Sequence, residues 1–220
     1  MRVVVTCGPS YEPIDEVRRI TNFSTGELGV LLANHLVLEG HEVVCFRGVG
    51  ATSPERVVGA RVIPFGTNGN LRAEIEGLET REEIGAVFHA AALCDYRVKS
   101  VLDSGGSEIA ATKIPSRGGE LTLTLDPAAK LIHELRDFFP AARIVGWKYE
   151  LAGSRADVLA AAIRQLAESR SDACVMNGAA YGAGFGFLEP QQKPAHLADK
   201  AALCVHLAAW LRPADGKSTE

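Results

Sequence analysis

The sequence has no apolar run near the roughly 20 residues that cross a bilayer, so no membrane-spanning segment is expected. It has no excess of positive charge: 23 Lys and Arg stand against 27 Asp and Glu, a net charge of −4. That balance gives nucleic acid or an anionic membrane no electrostatic reason to bind. The five cysteines, Cys7, Cys45, Cys94, Cys174 and Cys204, lie far apart and form no C-x-x-C pair. They read as small core residues in a reducing cytoplasm, with a redox role weighed only for Cys94, beside the candidate site. The six histidines show no metal-ligand spacing, so no structural metal is expected. No G-x-G-x-x-G follows the first apolar run and no G-x-x-x-x-G-K-[ST] occurs anywhere. The ordinary dinucleotide fingerprint and the P-loop are therefore unsupported. The N-terminus enters an apolar run directly, without the pattern of a signal peptide.

What is present is a soluble α/β pattern. With 47% hydrophobic and 23% charged residues, the 220-residue chain reads as one domain over residues 1–211 and a polar tail over 212–220. Val3-Val4-Val5 is a β-branched run of the kind buried in parallel sheets, and Gly8-Pro9 ends it. Leu28, Leu31, Leu32 and Leu36 then recur at helical spacing from Ser24 or Thr25 onward, closed by Gly40. Further strands are expected at Glu42–Arg47, Arg61–Pro64, Ala86–Ala92, Ile144–Tyr149 and Ala173–Met176. Helices are expected at Asn70–Leu78, Ala128–Phe139, Ser154–Ser169 and Asp199–Leu211. This alternation favours a doubly wound, mostly parallel sheet with right-handed crossovers. Residues 99–119, rich in Ser, Gly, Thr and Lys, interrupt it as a long flap. Glu120–Leu125 alternates polar and apolar and reads as a half-exposed strand.

The opening strand, loop and helix place the loop at the carboxyl edge of the sheet, where ligands bind in open α/β folds. Gly8, Gly26 and Gly29 permit close backbone approach, and Ser24 and Thr25 add hydroxyls at a helix start. Exposed amides and a helix N-terminus together suit a phosphate.

The stretch EPIDEVRRITNFSTGELG strongly resembles the signature of the phosphopantothenate–cysteine ligases. AAALCDY at Ala90–Tyr96, KIPS at Lys113–Ser116, DPAAKLI around Pro127, VGWKYE from Val145 and Asn177 follow in the family's order. The resemblance implies a Rossmann-like ligase of the stand-alone type, without the flavin-dependent decarboxylase half, so no flavin is expected. It implies activation of 4′-phosphopantothenate by CTP or ATP with Mg²⁺, pyrophosphate release, and attack of the cysteine amine on the acyl-nucleotidylate. Coenzyme A biosynthesis, a cytoplasmic location and a homodimer are implied with it.

By the same resemblance, Asn22 contacts the acyl group, Arg18 lies near the substrate, and Lys113 closes the flap over phosphate. Ala91 and Ala92 line the substrate pocket. Asp95, Trp147, Lys148 and Asn177 join Gly8, Ser24, Gly26 and Gly29 as nucleotide contacts, with Trp147 standing where relatives have Phe. The chain departs from the pattern at Pro115 in the flap. Gln165 and Ser169 stand where fused bacterial enzymes carry triphosphate-binding lysines. A non-catalytic nucleotide-binding paralogue and an NAD(P)-dependent oxidoreductase are the rival expectations.

Overall fold

A computed structural model describes residues 1–109 and 112–212; residues 213–220 of the expected tail lie outside them. The chain runs β1 (Arg2–Cys7), β2 (Tyr11–Pro13), β3 (Arg19–Thr21), α1 (Glu27–Leu38), β4 (Glu42–Gly48), β5 (Arg61–Phe65) and α2 (Asn68–Glu76). It continues β6 (Ile84–His89), β7 (Tyr96–Leu102), β8 (Thr122–Pro127), α3 (Leu135–Phe138) and β9 (Arg143–Tyr149). It ends α4 (Arg155–Ser169), β10 (Ala173–Asn177), β11 (Phe185–Leu188), β12 (Ala195–Leu197) and α5 (Lys200–Trp210).

The described residues form an eight-stranded sheet in the order β12-β11-β10-β9-β6-β1-β4-β5. From β5 to β10 the pairings are parallel, and β11 and β12 add antiparallel strands at one edge. This is the doubly wound, Rossmann-like α/β arrangement that the alternating sequence predicts. Chain direction across the sheet reverses between β1 and β6, which opens a crevice at their carboxyl ends.

Burial on both faces explains why β1 is continuously apolar: Val3, Val4 and Val5 have no exposed surface. Alternation sends Val3, Val5 and Cys7 to the face covered by α1 and α5, with Val30, Leu32, Leu36 and Leu207. Val4 meets Val44, Phe46, Leu71, Ile75 and Leu135 on the face covered by α2 and α3. α2 starts with a capping box between Thr67 and Asn70, and α4 with one between Ser154 and Asp157.

Four expectations need correction. The polar stretch after Pro9 contains the β2–β3 hairpin, with Asp15 capping the turn through the Val17 and Arg18 amides. Lys99–Leu102, expected in the flap, belongs to β7, which pairs with β8 as a separate antiparallel ribbon. The expected helix over Ala128–Phe139 reduces to a turn at Leu131–His133 and the single-turn α3. There Ala128 N–H is tied back to Asp95 O (2.8 Å), and Lys130 is extended, so the first turn cannot close. The glycine-rich run after Asn177 holds β11, whose Phe185 and Phe187 enter the core; β12 was likewise not expected.

Candidate functional site

The site is built on the loops that leave β1 and β6. Gly8 has φ +79°, and a Cβ there would stand 2.8 Å from Ala51 Cβ, so both conformation and space call for glycine. Ala92 N–H donates to Gly8 O (3.0 Å), and Ser10 N–H donates to Ala92 O (3.1 Å), extending the parallel pairing beyond the strands. The fully buried Ser10 then receives Cys94 N–H at its Oγ (2.8 Å). Thr21 Oγ1 donates to Ser10 O (2.7 Å) and fastens the end of β3 to the same loop.

Asn22, one residue on, donates its amide Nδ2 to Ala92 O (3.1 Å) and Leu93 O (3.0 Å). Its Oδ1 accepts no hydrogen bond from the described residues, and the residue is solvent-exposed. Asn22, Gly8, Ala91 and Ala92 are thus brought together at the crevice. Gly26 joins them: a Cβ on it would lie 3.2 Å from Gly8 N and Cα.

The helix start differs from expectation. α1 begins at Glu27, and its N-cap Gly26 is left-handed (φ +75°) with no side-chain cap. Thr25 Oγ1 accepts Glu27 N–H at 3.3 Å, and Ser24 is half-buried just before. Apart from the Thr25 hydroxyl on the Glu27 amide, the first turn presents a helix N-terminus to the crevice with no side-chain cap from Gly26. Gly29 does not face the crevice. It is buried, and a Cβ there would overlap Cys7 Cβ, so its role is close packing of α1 on β1.

Arg18 and the flap meet through a residue that the sequence reading did not single out. The Asp15 side chain has no exposed surface, and its Oδ2 receives Arg18 Nη1 (2.6 Å) and Ile114 N–H (3.1 Å). Arg18 Nη2 also donates to Ile114 O (3.0 Å), and Glu16 N–H to Thr112 O (3.0 Å). Burial pushes the Asp15 carboxyl up, but the N–H donors of Ile114, Val17 and Arg18 and the Arg18 guanidinium outweigh it, leaving it below the ordinary carboxylate value. Ile114 is buried while Lys113 beside it is exposed, with no ion pair to a described residue. The flap is therefore anchored at Ile114 and presents Lys113 outward. The only sequence signal for Asp15 was its position three residues before Arg18 inside the signature.

Asp95 is exposed at the start of the β7–β8 ribbon, 3.9 Å from Lys130 Nζ. Cys94 is buried, and burial pushes its thiol up, which disfavours a nucleophilic thiolate. All five cysteines are buried and free.

Trp147, Lys148 and Asn177 end the neighbouring strands β9 and β10, and alternation divides them between the two faces. Trp147 packs with Val145 and Val175 on the α1 face, and Asn177 follows Val175 on that face. Trp147 Nε1 and Asn177 Oδ1 are both buried without a partner among the described residues. Lys148 points the other way, 3.3 Å from Glu150 Oε1, into a cleft of about 90 Å³ with Lys130, His133, Arg164 and Gln165. Ser169 is buried, donating to Gln165 O (2.5 Å), and does not line that cleft.

The sequence profile of the DNA/pantothenate metabolism flavoprotein C-terminal domain matches residues 1–203. The chain belongs to this family. Every site residue described above, from Gly8 to Asn177, falls inside the domain match. Among relatives, the coenzyme A biosynthesis bifunctional protein CoaBC of Thermococcus kodakarensis is 34% identical over 176 residues, 80% of this chain and 41% of that protein. The protein of the same name from Bacillus subtilis is 32% identical over 186 residues, covering 84% and 42%. The chain spans about two fifths of the length of these curated relatives. The fold is shared with the DNA/pantothenate metabolism flavoprotein of Streptococcus pneumoniae at TM-score 0.80, with 23% identity and 96% and 99% of the two chains covered. It is also shared with a Cab2 variant complexed with phosphopantothenate-cysteine, at TM-score 0.68, 16% identity and 96% and 87% coverage.

Proposed function

We propose that this chain is a phosphopantothenate–cysteine ligase of coenzyme A biosynthesis. The observation that carries the reading is Asn22, seated by Ala92 O and Leu93 O at the crevice between β1 and β6. In this reading the carboxylate of 4′-phosphopantothenate attacks the α-phosphorus of CTP or ATP. The bond to pyrophosphate breaks, and an acyl-nucleotidylate results. The cysteine amine then attacks the acyl carbon, forming the amide as the nucleoside monophosphate leaves. Asn22 holds the acyl group without adding a nucleophile, and Ala91 and Ala92 line its pocket. Arg18 and Lys113 bring positive charge to the phosphates from the hairpin and the flap.

The nucleotide is assigned to the crevice edge shared by Gly8, Ser24, Gly26, Asp95, Trp147, Lys148 and Asn177. Gly29 contributes by setting α1 against β1. The orphaned Trp147 Nε1–H and Asn177 Oδ1 supply one donor and one acceptor, which suits a base edge bearing an acceptor and an amino group. Arg164, beside Gln165, and Lys148 supply cationic charge in the cleft near the position that lacks the expected lysines. Mg²⁺ arrives with the triphosphate in this reading, held largely by phosphate oxygens and water.

The proposal extends to a homodimer. The β2–β3 hairpin and the β7–β8 ribbon stand off the main sheet and leave Val17, Ile20, Phe23, Tyr96 and Leu125 exposed. A cytoplasmic location is supported by the five free, buried cysteines.

The test is pyrophosphate release with 4′-phosphopantothenate and Mg²⁺, comparing CTP with ATP, with and without cysteine. Cysteine-dependent turnover with one nucleotide is the expected result. A folded protein that binds nucleotide but releases no pyrophosphate would overturn the ligase in favour of a binding paralogue.

A further inference from the structure

Thr6 and His89 face each other across the parallel pairing of β1 and β6, just before the Ala90–Leu93 segment that holds Asn22. Thr6 has no exposed surface and His89 is 7% exposed. Thr6 Oγ1 and His89 Nδ1 are 2.9 Å apart, and the same Oγ1 accepts Ala91 N–H at 3.2 Å. The face they share otherwise carries Val4, Val87 and Ile144, so two polar side chains lie inside an apolar layer. Burying them there has a desolvation cost that valine and leucine would not incur. What the polar pair does that an apolar pair could not is bond the Ala91 amide.

We propose that Thr6 and His89 are a positioning pair for the site, fixing through Ala91 N–H the extended Ala90–Leu93 segment, whose Ala92 and Leu93 carbonyls seat Asn22. The hydroxyl receives the amide proton on one lone pair and gives its own proton to His89 Nδ1. The imidazole is neutral in this arrangement and carries its proton on Nε2. Burial favours that neutral form, pushing the His89 pKa down to about 4. With the hydroxyl rotor fixed from below, the lone pair facing Ala91 keeps its direction. Ala92 N–H then meets Gly8 O, and Ala92 O and Leu93 O stay aimed at the Asn22 amide. Neither Thr6 nor His89 reaches the ligand in this scheme; both act through the Ala90–Leu93 segment.

The kinetic arm of the test rests on the ligase reading; the spectroscopic arms do not. Thr6→Val and His89→Leu remove the bond, whereas Thr6→Ser keeps the hydroxyl and His89→Asn puts an acceptor at the place of Nδ1. In the first two, kcat is expected to fall about tenfold or more while KM for cysteine stays within about threefold; Thr6→Ser and His89→Asn stay near the parent. Exchange of the Ala91 amide is expected to quicken in Thr6→Val and His89→Leu, and imidazole ¹⁵N shifts of the parent to report the Nε2–H tautomer. Parent-like kinetics and exchange in the leucine variant, a proton on Nδ1, or failure of the two conservative variants to restore turnover would each overturn the proposal. If His89→Leu does not fold, the conservative variants and the tautomer decide. If the parent shows no ligase turnover, exchange and tautomer still judge the pair, so the two failures are separable.

Discussion

The Asp15 carboxylate has no exposed surface, and it joins the β2–β3 hairpin to the flap at Ile114. Its oxygens take the Val17 and Arg18 amides from the hairpin, the Arg18 guanidinium, and Ile114 N–H from the flap. Asp15→Asn replaces one acceptor by a donor that would face those N–H groups, so the flap loses its anchor. In the ligase reading turnover should fall about tenfold or more, with KM for the nucleotide rising, because the flap that carries Lys113 loses its anchor. Steady-state kinetics at saturating cysteine checks this, and unchanged constants would remove Asp15 from the site. Asn22→Asp is a harsher change: it sets a carboxylate against Ala92 O and Leu93 O. The expected result is loss of turnover with little loss of stability, since Asn22 is exposed; gross unfolding would make its role structural. Sequence reasoning singled out Asn22 and Arg18 through the signature and Lys113 through the KIPS motif, but passed over Asp15, Thr6 and His89. Their roles depend on partners 83 to 99 positions away, which no local pattern displays.

His89 also gives a stability prediction with a definite sign. Its folded pKa is about 4, below the ordinary value of 6.5, so the unfolded chain binds the proton more tightly. Its contribution is complete above about pH 6.5 and is lost as pH falls toward 4, by about 3 kcal/mol at most. Asp15, held below the ordinary carboxylate value, loses its contribution on further acidification in the same direction. Urea unfolding at pH 7.5 and pH 5 should show the midpoint falling with pH in the parent. The fall should be smaller in His89→Asn, and equal falls would remove His89 as the cause.

At the scale of elements, the contact of α1 with β1 decides where the helix N-terminus lies. Gly29 lets the helix rest on Cys7, and Gly26 lets the chain enter it from Thr25 in a left-handed turn against Gly8. Gly29→Ala adds a methyl group that overlaps Cys7 Cβ, and backbone must shift to admit it. A loss of about 1–3 kcal/mol is expected from urea unfolding, together with weaker nucleotide binding as Gly26 moves. Stability equal to the parent would show that the packing is looser than the structure has it. The inner strands of the parallel sheet were legible because burial on both faces makes them short apolar runs, as in Val3–Val5 and Ala173–Met176. The helices capped by Ser154 and Asp199 were legible for the same local reason. The β2–β3 hairpin was not, because its three-residue strands carry Pro13 and Arg19 and bury almost nothing. β11 was masked by its glycines: Gly186 packs under Tyr181, where a Cβ would come within 2.7 Å of the ring, and only Phe185 and Phe187 signal the strand.

Across the whole molecule, the sheet separates the candidate contacts into two groups at one edge. Gly8, Gly26, Trp147 and Asn177 gather on the α1 side, while Lys148 joins Lys130 and Arg164 on the other. Lys113 lies on the flap and Asp95 at the start of the ribbon, both exposed, as are Phe23 and Tyr96. A second copy seated on the hairpin and ribbon would cover those apolar side chains and bring its own flap and Asp95 to the same edge. Among the described residues nothing covers Phe23, and burying a phenylalanine contributes about 1.5–3 kcal/mol. Two copies related by a twofold axis would bury it twice. Phe23→Asp should therefore shift sedimentation equilibrium from dimer toward monomer and lower turnover in step with the monomer fraction. Raising the protein concentration should recover both together. A parent that sediments as a monomer while turning over would show that the site is complete within one chain. In that case the exposed ribbon would have to be explained without a partner copy.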